Sequence, residues 1–363
     1  MKRYEERLQQ DLQDIRTRVA KLCAAVADSV AKGVRAILSL DRKLASEVIL
    51  GDYAINRATR DVDGLCHVFV ALHLPSAGIL RYISSVLRLT REVERVGDYA
   101  VGLGRATIQL SGPMPPELAR NFEVLAGDSQ HLLREAIRAF HESNAELARA
   151  TKQTGLQEHN TYDKIYEDLL REGERISLPL KELFALQFAF RRLARVRDRA
   201  KNLCEETLFA VTGEAKEPKV FRILFLDEKN DMASLMAEAI ARKGFPTSGH
   251  YESAGWRPAQ SARADVLSFL DRHGHETADV APRSLMMTQR QLERYHVIVS
   301  LEGDAREHLP TVPFYTTLLE WEVDKTPQGA DGQPEELPLE EIYGDLSLRI
   351  RELMLTLRGS AAS

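Results

Sequence analysis

The apolar positions in the first part of the chain repeat with the period of a helix. Alternating steps of four and three residues connect Leu8, Leu12, Ile15, Val19, Leu22 and Val26. This spacing is typical of the seam along which a helix packs in a bundle. Prolines, glycines and polar breaks divide this part into predicted helices at residues 4–40, 42–73, 77–111, 116–150, 152–176 and 179–212. Helices of this length favour a bundle, in which neighbours cover each apolar seam.

From about residue 220 the pattern changes to short apolar runs that alternate with helical segments. The runs predict strands at 220–226, 250–255, 297–301 and 312–323, and helices at 232–242, 261–273, 288–295 and 339–357. Strands that alternate with helices are typical of a parallel sheet covered on both faces. The expected fold is therefore multi-domain: an all-α region of six helices, followed by an α/β domain with a parallel sheet.

Charge and proline content change at the same place as this pattern. Residues 1–220 carry a net charge of +3 and residues 221–363 a net charge of −8, and eight of the 14 prolines lie beyond residue 220. The short polar segment that ends in Pro218 breaks a helix at both ends. We therefore expect a helical domain at 1–213, a linker at 214–218 and an α/β domain at 219–363.

Composition narrows the class of protein. The 363 residues are 44% hydrophobic and 28% charged, which is ordinary for a soluble globular chain. A net charge of −5 argues against a general nucleic-acid binder. No apolar run is long enough to span a bilayer, and the first residues lack the apolar core of a signal peptide. Three scattered cysteines are too few for a disulfide framework. We expect a cytoplasmic protein without a nucleic-acid partner.

The helical region contains an internal repeat. At an offset of 100 residues, segment 95–103 matches segment 195–203 at the pairs Arg95/Arg195, Val96/Val196, Asp98/Asp198, Ala100/Ala200 and Leu103/Leu203. Helical periodicity alone aligns apolar residues, but here the polar positions coincide as well. The repeat predicts two three-helix units, at about 4–111 and 116–212.

Two carboxylates in the first repeat suggest a metal site. Glu94 and Asp98 lie four residues apart and share one helix face. Carboxylates this close repel each other unless a cation lies between them or one is protonated. Asp61 and Asp63, on the preceding helix, are expected to add ligands if they face the same way. The alternative is that Glu94 pairs with a neighbouring arginine and that Asp98 is solvated.

The second repeat is more basic. Ala194 stands where the first repeat has Glu94, so Asp198 lacks its acidic neighbour, and Arg191, Arg195 and Arg199 follow at steps of four residues. Such a stripe can contact phosphate groups, acidic lipid or an acidic partner. The alternative is that it pairs with acids of the neighbouring helix, Glu167, Asp168, Glu172 and Glu174.

Residues 5–213 resemble PhoU-type phosphate-uptake regulators. The resemblance is carried by Leu74–Ala77, Leu80–Arg81 and Glu94–Ala100, and by 193–203 in the second repeat. It implies two three-helix bundles and a cytoplasmic, often dimeric regulator. Such proteins negatively control phosphate import and connect a membrane-bound phosphate transporter to a sensor kinase. It also implies binding of iron or zinc through a Glu/Asp-x-x-x-Asp motif, which Glu94 and Asp98 complete and Asp198 only half retains.

Residues 220–358 resemble low-molecular-weight protein tyrosine phosphatases and related arsenate reductases. In that family a strand leads into a phosphate-binding loop with a nucleophilic cysteine and an arginine. Here the cysteine position is Asp227 and the arginine position is Ala233, while Asn230 and Ser234 of the loop remain. Asp324 lies in the segment that resembles the family's general-acid region.

These replacements predict a domain without catalysis. Phosphoryl transfer in such a loop needs a thiolate and an arginine that holds the anion, and no cysteine follows Cys204. We therefore expect an adaptor of phosphate homeostasis whose phosphatase-like domain senses a ligand or docks a partner. The alternatives are an active phosphatase or reductase, a metal or phosphoryl role for Asp227, and a carboxylate-bridged metal-binding bundle.

Overall fold

The computed structural model describes residues 2–157, 169, 171–173, 175, 178–216, 218–278, 280–287, 289–309, 311–313, 316–323 and 338–359. The chain forms two compact units, Met1–Lys216 and Glu217–Ser363. The division lies inside the segment 214–218 that the sequence marks as a linker. An all-α first unit and an α/β second unit with a parallel sheet confirm the predicted fold class.

The described helices of the first unit form two groups. They are α1 (Lys2–Ser39), α2 (Arg42–His73), α3 (Ala77–Gln109), α4 (Pro116–His141), α5 (Ala145–Gln157) and α6 (Leu180–Thr212). Helices α1, α2 and α3 pack against one another, α4 and α5 pack against α6, and α3 packs against α6. The predicted seam lies in the core, since its five positions from Leu12 to Val26 are each at most 5% exposed.

The predicted helix over 116–150 is wrong, because the chain breaks at residues 142–144. Ser143 adopts a left-handed backbone with φ of 51°, and the Asn144 side chain accepts a hydrogen bond from the Leu147 N–H (3.0 Å) to start α5. An asparagine cap of this kind begins a new helix without proline or glycine. The predicted helix over 152–176 is wrong in its start, because α5 already runs from Ala145 to Gln157.

Two glycines of α3 allow it to approach α2 and α6 closely. A Cβ atom added at Gly104 would lie 2.9 Å from the Ala45 carbonyl oxygen on α2. One added at Gly102 would lie 3.1 Å from side-chain atoms of Phe188 and Arg192 on α6. Real Cβ atoms almost never approach backbone as closely as 2.9 Å, so the α2–α3 spacing requires glycine at position 104. Helix α3 thereby joins the two groups.

The second unit is built on a parallel sheet with strand order β2-β1-β3-β4. Its strands are β1 (Phe221–Asp227), β2 (Gly249–Gly255), β3 (Val297–Ser300) and β4 (Thr317–Glu320), and its helices are α7 (Ala233–Gly244), α8 (Ala264–Arg272), α9 (Gln289–Leu292) and α10 (Leu339–Arg358). Alternate β1 side chains enter two cores, Phe225 on one face and Leu226 on the other, as expected for a sheet covered on both sides.

The fourth strand is shorter than predicted. The run 312–323 pairs only at Thr317–Glu320, because its partner β3 is itself four residues long. Asp324 lies outside the described residues. In the described part of the chain, no helix combines the length and the apolar character needed to cross a membrane.

Candidate functional site

The turn between β1 and α7 is centred on a buried carboxylate. Asp227 ends β1 and is 6% exposed. Its Oδ1 accepts a hydrogen bond from the Asn230 N–H (2.6 Å), and its Oδ2 accepts one from the Ser234 N–H (2.9 Å). Ser234 lies in the first turn of α7, where backbone N–H groups have no partner within the helix. The Asp227 side chain therefore occupies the place where such a turn would hold an external anion.

Asn230 fixes the shape of this turn. It is fully buried and adopts a left-handed backbone with φ of 49°. Its Nδ2 donates to Ser234 Oγ (2.7 Å), and its Oδ1 accepts from the Arg283 N–H (2.7 Å). Arg283 is bound in turn to the end of β2, because the Gly255 N–H donates to the Arg283 carbonyl (2.8 Å). The turn is thus held on both sides by hydrogen bonds that need no ligand.

Glycine is required where β2 meets this turn. A Cβ atom at Gly255 would lie 2.7 Å from the Glu228 carbonyl oxygen and 2.9 Å from the Asn230 nitrogen. A larger residue than glycine at position 255 would therefore collide with the backbone of the turn. The carboxyl ends of β1 and β2 therefore meet at the turn, as they do in binding sites of parallel sheets.

The electrostatics of the turn oppose the binding of an anion. Burial raises the pKa of Asp227 to about 6, although its hydrogen bonds to Ser234 and Asn230 act in the opposite direction; the Glu302 carboxylate raises the pKa further. Glu302 also accepts from the Glu228 N–H (3.1 Å). Ala233, at the arginine position, contributes a buried methyl group. A dianion entering the turn would meet carboxylates and no guanidinium from position 233.

The turn contains no cysteine that could act as the nucleophile. Cys23, Cys66 and Cys204 are the cysteines of the chain, and all three are buried in the helical unit. Burial raises the pKa of each thiol to about 12, so none is a thiolate at neutral pH. Each oxygen of Asp227 already accepts one backbone N–H group. The four loop residues named from the sequence, Asp227, Asn230, Ala233 and Ser234, do lie together.

A second polar site lies between α2 and α3. Asp52 has a raised pKa, caused first by burial and then by the charge of Asp98. The Asn56 Nδ2 donates to Asp52 Oδ2 (2.8 Å). Asp52 Oδ1 and Asn56 Oδ1 are buried and have no hydrogen-bond partner among the described residues. Two unpartnered acceptor oxygens beside the carboxylate of Asp98 form an arrangement that suits a cation.

Sequence reasoning missed Asp52 and Asn56. The signal was present, because these residues have the same four-residue spacing on α2 as Glu94 and Asp98 have on α3. Glu94 is half-buried and Asp98 is exposed. The described residues include no group of three or more His, Cys, Asp and Glu side chains placed to hold a metal ion. Any ion bound here would therefore need the amide oxygen of Asn56 or water.

Two of the predicted metal ligands do not join this site. Asp63, not Asp61, faces α3, since it accepts a hydrogen bond from Thr90 Oγ1 (2.9 Å). Asp61, two residues earlier, lies on another face and lines a groove between α1 and α2. Asp198 is paired with Lys201 (3.0 Å) and Arg195 (3.7 Å). Asp61 and Asp198 thus have other surroundings than Asp52 and Asp98, and their role as ligands stays a prediction.

The basic stripe of the second repeat, formed by Arg191, Arg195 and Arg199, is only partly exposed to solvent. Arg199 Nη1 pairs with Glu92 on α3 (2.8 Å), and the Asn202 side chain donates to the same carboxylate (2.8 Å). Arg195 is half-exposed, and Arg191 is partly buried. Glu172 pairs with Arg175 (2.7 Å), so it does not neutralise the stripe as the sequence suggested. The other three acids, Glu167, Asp168 and Glu174, lie outside the described residues.

Two family models match the chain, one in each unit. The PhoU domain model matches residues 19–107, and the low molecular weight phosphotyrosine protein phosphatase model matches residues 222–331. The first match includes Asp52, Asn56, Glu94 and Asp98, and the second includes the complete turn after β1. These matches agree with both resemblances noted in the sequence.

Curated relatives and a solved structure match the helical unit. A phosphate-specific transport system accessory protein PhoU homolog of Pseudomonas aeruginosa is 29% identical over 209 residues, 56% of this chain and 84% of that protein. The accessory protein PhoU of Serratia marcescens is 24% identical over 204 residues, with the same coverage. The crystal structure of PhoU from Pseudomonas aeruginosa matches with a TM-score of 0.55 and 26% identity, covering 57% of this chain and 99% of that chain.

The raised pKa of Asp227 predicts a distinctive pH dependence of stability. Because this pKa is about 6 in the folded state and 3.8 in the reference state, the folded protein holds the proton more tightly. The free energy of unfolding of the α/β unit should therefore fall by up to about 3 kcal/mol as pH rises from about 4 to about 6, and then level off. In Asp227→Asn this contribution should be absent.

Urea unfolding between pH 4 and 7 tests this expectation. Both tryptophans, Trp256 and Trp321, lie in the α/β unit, so their fluorescence follows this unit alone. Asp271→Asn is the matched control, because Asp271 is an exposed aspartate of the same unit. Parallel stability curves for wild type and Asp227→Asn across this range would contradict the assignment.

Proposed function

We propose that this chain, which joins an N-terminal PhoU domain to a C-terminal low-molecular-weight phosphotyrosine-phosphatase-like domain, is a cytoplasmic regulator of phosphate uptake and phosphate-responsive signalling. The observation that carries the proposal is the match of the helical unit to PhoU across nearly the whole length of that protein's crystal structure. Its relatives are accessory proteins of phosphate-specific transport. The regulator acts negatively, and its partners are components of a phosphate transporter and a sensor kinase.

The phosphatase-like domain serves recognition and not catalysis in this proposal. This view is supported by the turn after β1. There the Asp227 carboxylate accepts hydrogen bonds from the N–H groups of Asn230 and Ser234, which a bound anion would otherwise need. Ala233 supplies no guanidinium, and the chain has no cysteine in this unit. An enzyme of the phosphatase or arsenate-reductase class is disfavoured by the same three features. The domain is retained for sensing or for docking a protein partner.

A divalent cation, iron or zinc, is proposed between α2 and α3. Asp52, Asp98 and the amide oxygen of Asn56 would hold it together with water, since carboxylate and amide oxygens suit hard or borderline divalent ions. Glu94, the partner of Asp98 in the sequence motif, would add its negative charge to the same site. The two unpartnered oxygens of Asp52 and Asn56 support this fit. The ion would neutralise the facing carboxylates and connect α2 to α3. A storage or redox bundle with two sites is disfavoured, because Asp198 is held by Lys201 in the second repeat.

Co-purification tests the regulatory proposal. The tagged full chain, expressed in its own phosphate-replete cells, should retain the phosphate transporter's ATPase subunit and the phosphate-sensing kinase. Deletion of its gene should raise phosphate import at high external phosphate. Unchanged import on deletion, together with no transporter or kinase component on the tagged chain, would contradict the proposal. Sedimentation of the purified chain at several concentrations tests the expected homodimer.

Hydrolysis of p-nitrophenyl phosphate tests the recognition role of the second domain. The purified chain should show no turnover above a buffer blank, because the turn lacks a thiolate and presents carboxylates to a dianion. The matched comparison is the double variant Asp227→Cys, Ala233→Arg, which should gain protection by phosphate against thermal unfolding. Turnover by the wild type that disappears in Asp227→Ala would show instead that the domain is an enzyme.

Metal analysis tests the cation site. Wild-type protein purified without chelator should contain iron or zinc, and Asp98→Ala and Asp52→Ala should each lose most of it. Asp61→Ala is the matched control, because Asp61 is an aspartate of α2 on a different face, and it should retain the metal. Equal metal content in all four proteins, or none in the wild type, would reject the site. Added zinc should raise the melting temperature of the wild type only when Asp52 and Asp98 are intact.

A further inference from the structure

Two grooves of similar size flank α1 in the helical unit. The first, here the α1–α4 groove, has a volume of about 470 Å³ and lies between Gln13–Ala27 of α1 and Arg134–Ser143 at the end of α4, with Tyr82 of α3 also in its lining. The second, the α1–α2 groove, has a volume of about 460 Å³ and lies between Arg18–Lys32 and Glu47–Val62. Both volumes lie within the range of small-molecule sites.

Small side chains leave the α1–α4 groove open. Ala20, Ala24 and Ala27 line it at steps of four and three residues along one face of α1. Val19 and Cys23 contribute buried apolar side chains to the same lining. The Tyr82 ring stacks on Phe140 at one point of the groove, with ring centroids 5.7 Å apart. The groove is therefore an apolar channel that runs along α1 for about 20 Å, given a rise of ~1.5 Å per residue.

The ionisable groups of the α1–α4 groove are almost entirely basic. Arg16, Arg134, Arg138 and His141 line it, and its described lining contains no aspartate or glutamate. Arg16 lies over the Tyr82 ring, 5.2 Å from its centroid. Arg138 pairs with Glu135 (2.6 Å), which is not part of the lining. An anionic group in the groove would thus meet arginines from both α1 and α4 and no opposing carboxylate.

The α1–α2 groove provides an internal contrast. It is as large and also has apolar residues in its lining, but it carries Asp28, Glu47 and Asp61 beside its arginine and lysines. Mixed charges of this kind give no net preference for an anion. The two grooves therefore share their size and their apolar character. They differ in charge, because the α1–α4 groove carries basic groups and the α1–α2 groove carries groups of both signs.

We propose that the α1–α4 groove binds a single-chain amphiphilic anion. Its alkyl tail lies along Ala20, Ala24 and Ala27, where each buried methylene gains hydrophobic stabilisation. Its phosphate or carboxylate headgroup is held by Arg16 and Arg134, which line the groove from α1 and α4. A ligand of this class matches the two features of the groove, its apolar lining and its basic side chains. The proposal does not depend on the function proposed above.

Titration of the full chain with alkyl phosphates tests the proposal. Octyl, decyl and dodecyl phosphate, each kept below its critical micelle concentration, should bind with affinity that rises at least twofold per added methylene. Inorganic phosphate, which has no tail, and decyl maltoside, which has no charge, should each bind at least tenfold more weakly than decyl phosphate. Equal affinity for decyl phosphate and decyl maltoside would overturn the proposal, as would failure of all three alkyl phosphates to bind.

Adjacent alanines of α1 supply a matched pair of variants. Ala24 lines the α1–α4 groove and Ala25 lines the α1–α2 groove, and both are exposed. Ala24→Leu should weaken decyl phosphate binding at least tenfold by filling the apolar channel, whereas Ala25→Leu should leave it unchanged. Equal effects of the two substitutions would show that the ligand does not lie in the proposed groove and would overturn the proposal.

Charge is tested separately, so that a folding defect cannot imitate the result. Arg134→Gln should weaken decyl phosphate binding at least fivefold and leave decyl maltoside binding unchanged, while Lys21→Gln in the other groove should change neither. Melting temperatures within a few degrees of wild type identify the variants that are folded. Binding to anionic vesicles that is equal in wild type and Ala24→Leu, with no binding of monomeric decyl phosphate, would place recognition on a membrane surface and reject the groove.

Discussion

The close approach of α3 to α2 and α6 is the constraint on which the helical unit depends. Gly104 allows the α2 backbone to approach within van der Waals contact, and Gly102 accepts Phe188 and Arg192 from α6. Helix α3 contacts both helix groups. It therefore carries Asp98, close to Asp52 of α2, and Glu92, which pairs with Arg199 of α6. The pairing of Glu92 with Arg199 then connects the two repeats through charge as well as through packing.

The two predicted repeats differ in the polar groups that surround Asp98 and Asp198, although matching apolar positions are buried in both. In the first, Asp52 and Asn56 face the helix that carries Asp98, and two acceptor oxygens have no donor. In the second, Ala194 removes one acid and Lys201 pairs with Asp198. Matching apolar positions such as Val96 and Val196 are buried in both halves. In the second half, Lys201 neutralises Asp198 without a cation.

Much of the fold could be predicted from the sequence, because periodic apolar positions and proline-rich breaks are local signals. The α4–α5 break was not visible, since it depends on a left-handed Ser143 and a capping Asn144 that propensity alone does not reveal. The loop residues Asp227 to Ser234 are close in sequence and were found together. Candidate ligands on two helices were harder to find. Asp61 was named and Asp52 was missed, because spacing within one helix does not show which of its faces turns toward a neighbouring helix.

The carboxylate in the turn after β1 has one further consequence. Asp227 is in effect an anion attached covalently to its own binding turn, so its local concentration is fixed and does not depend on what is dissolved around it. Free phosphate would have to displace this carboxylate before it could reach the N–H groups of Asn230 and Ser234. We therefore expect the turn to present the same surface to a partner when phosphate is scarce and when it is abundant.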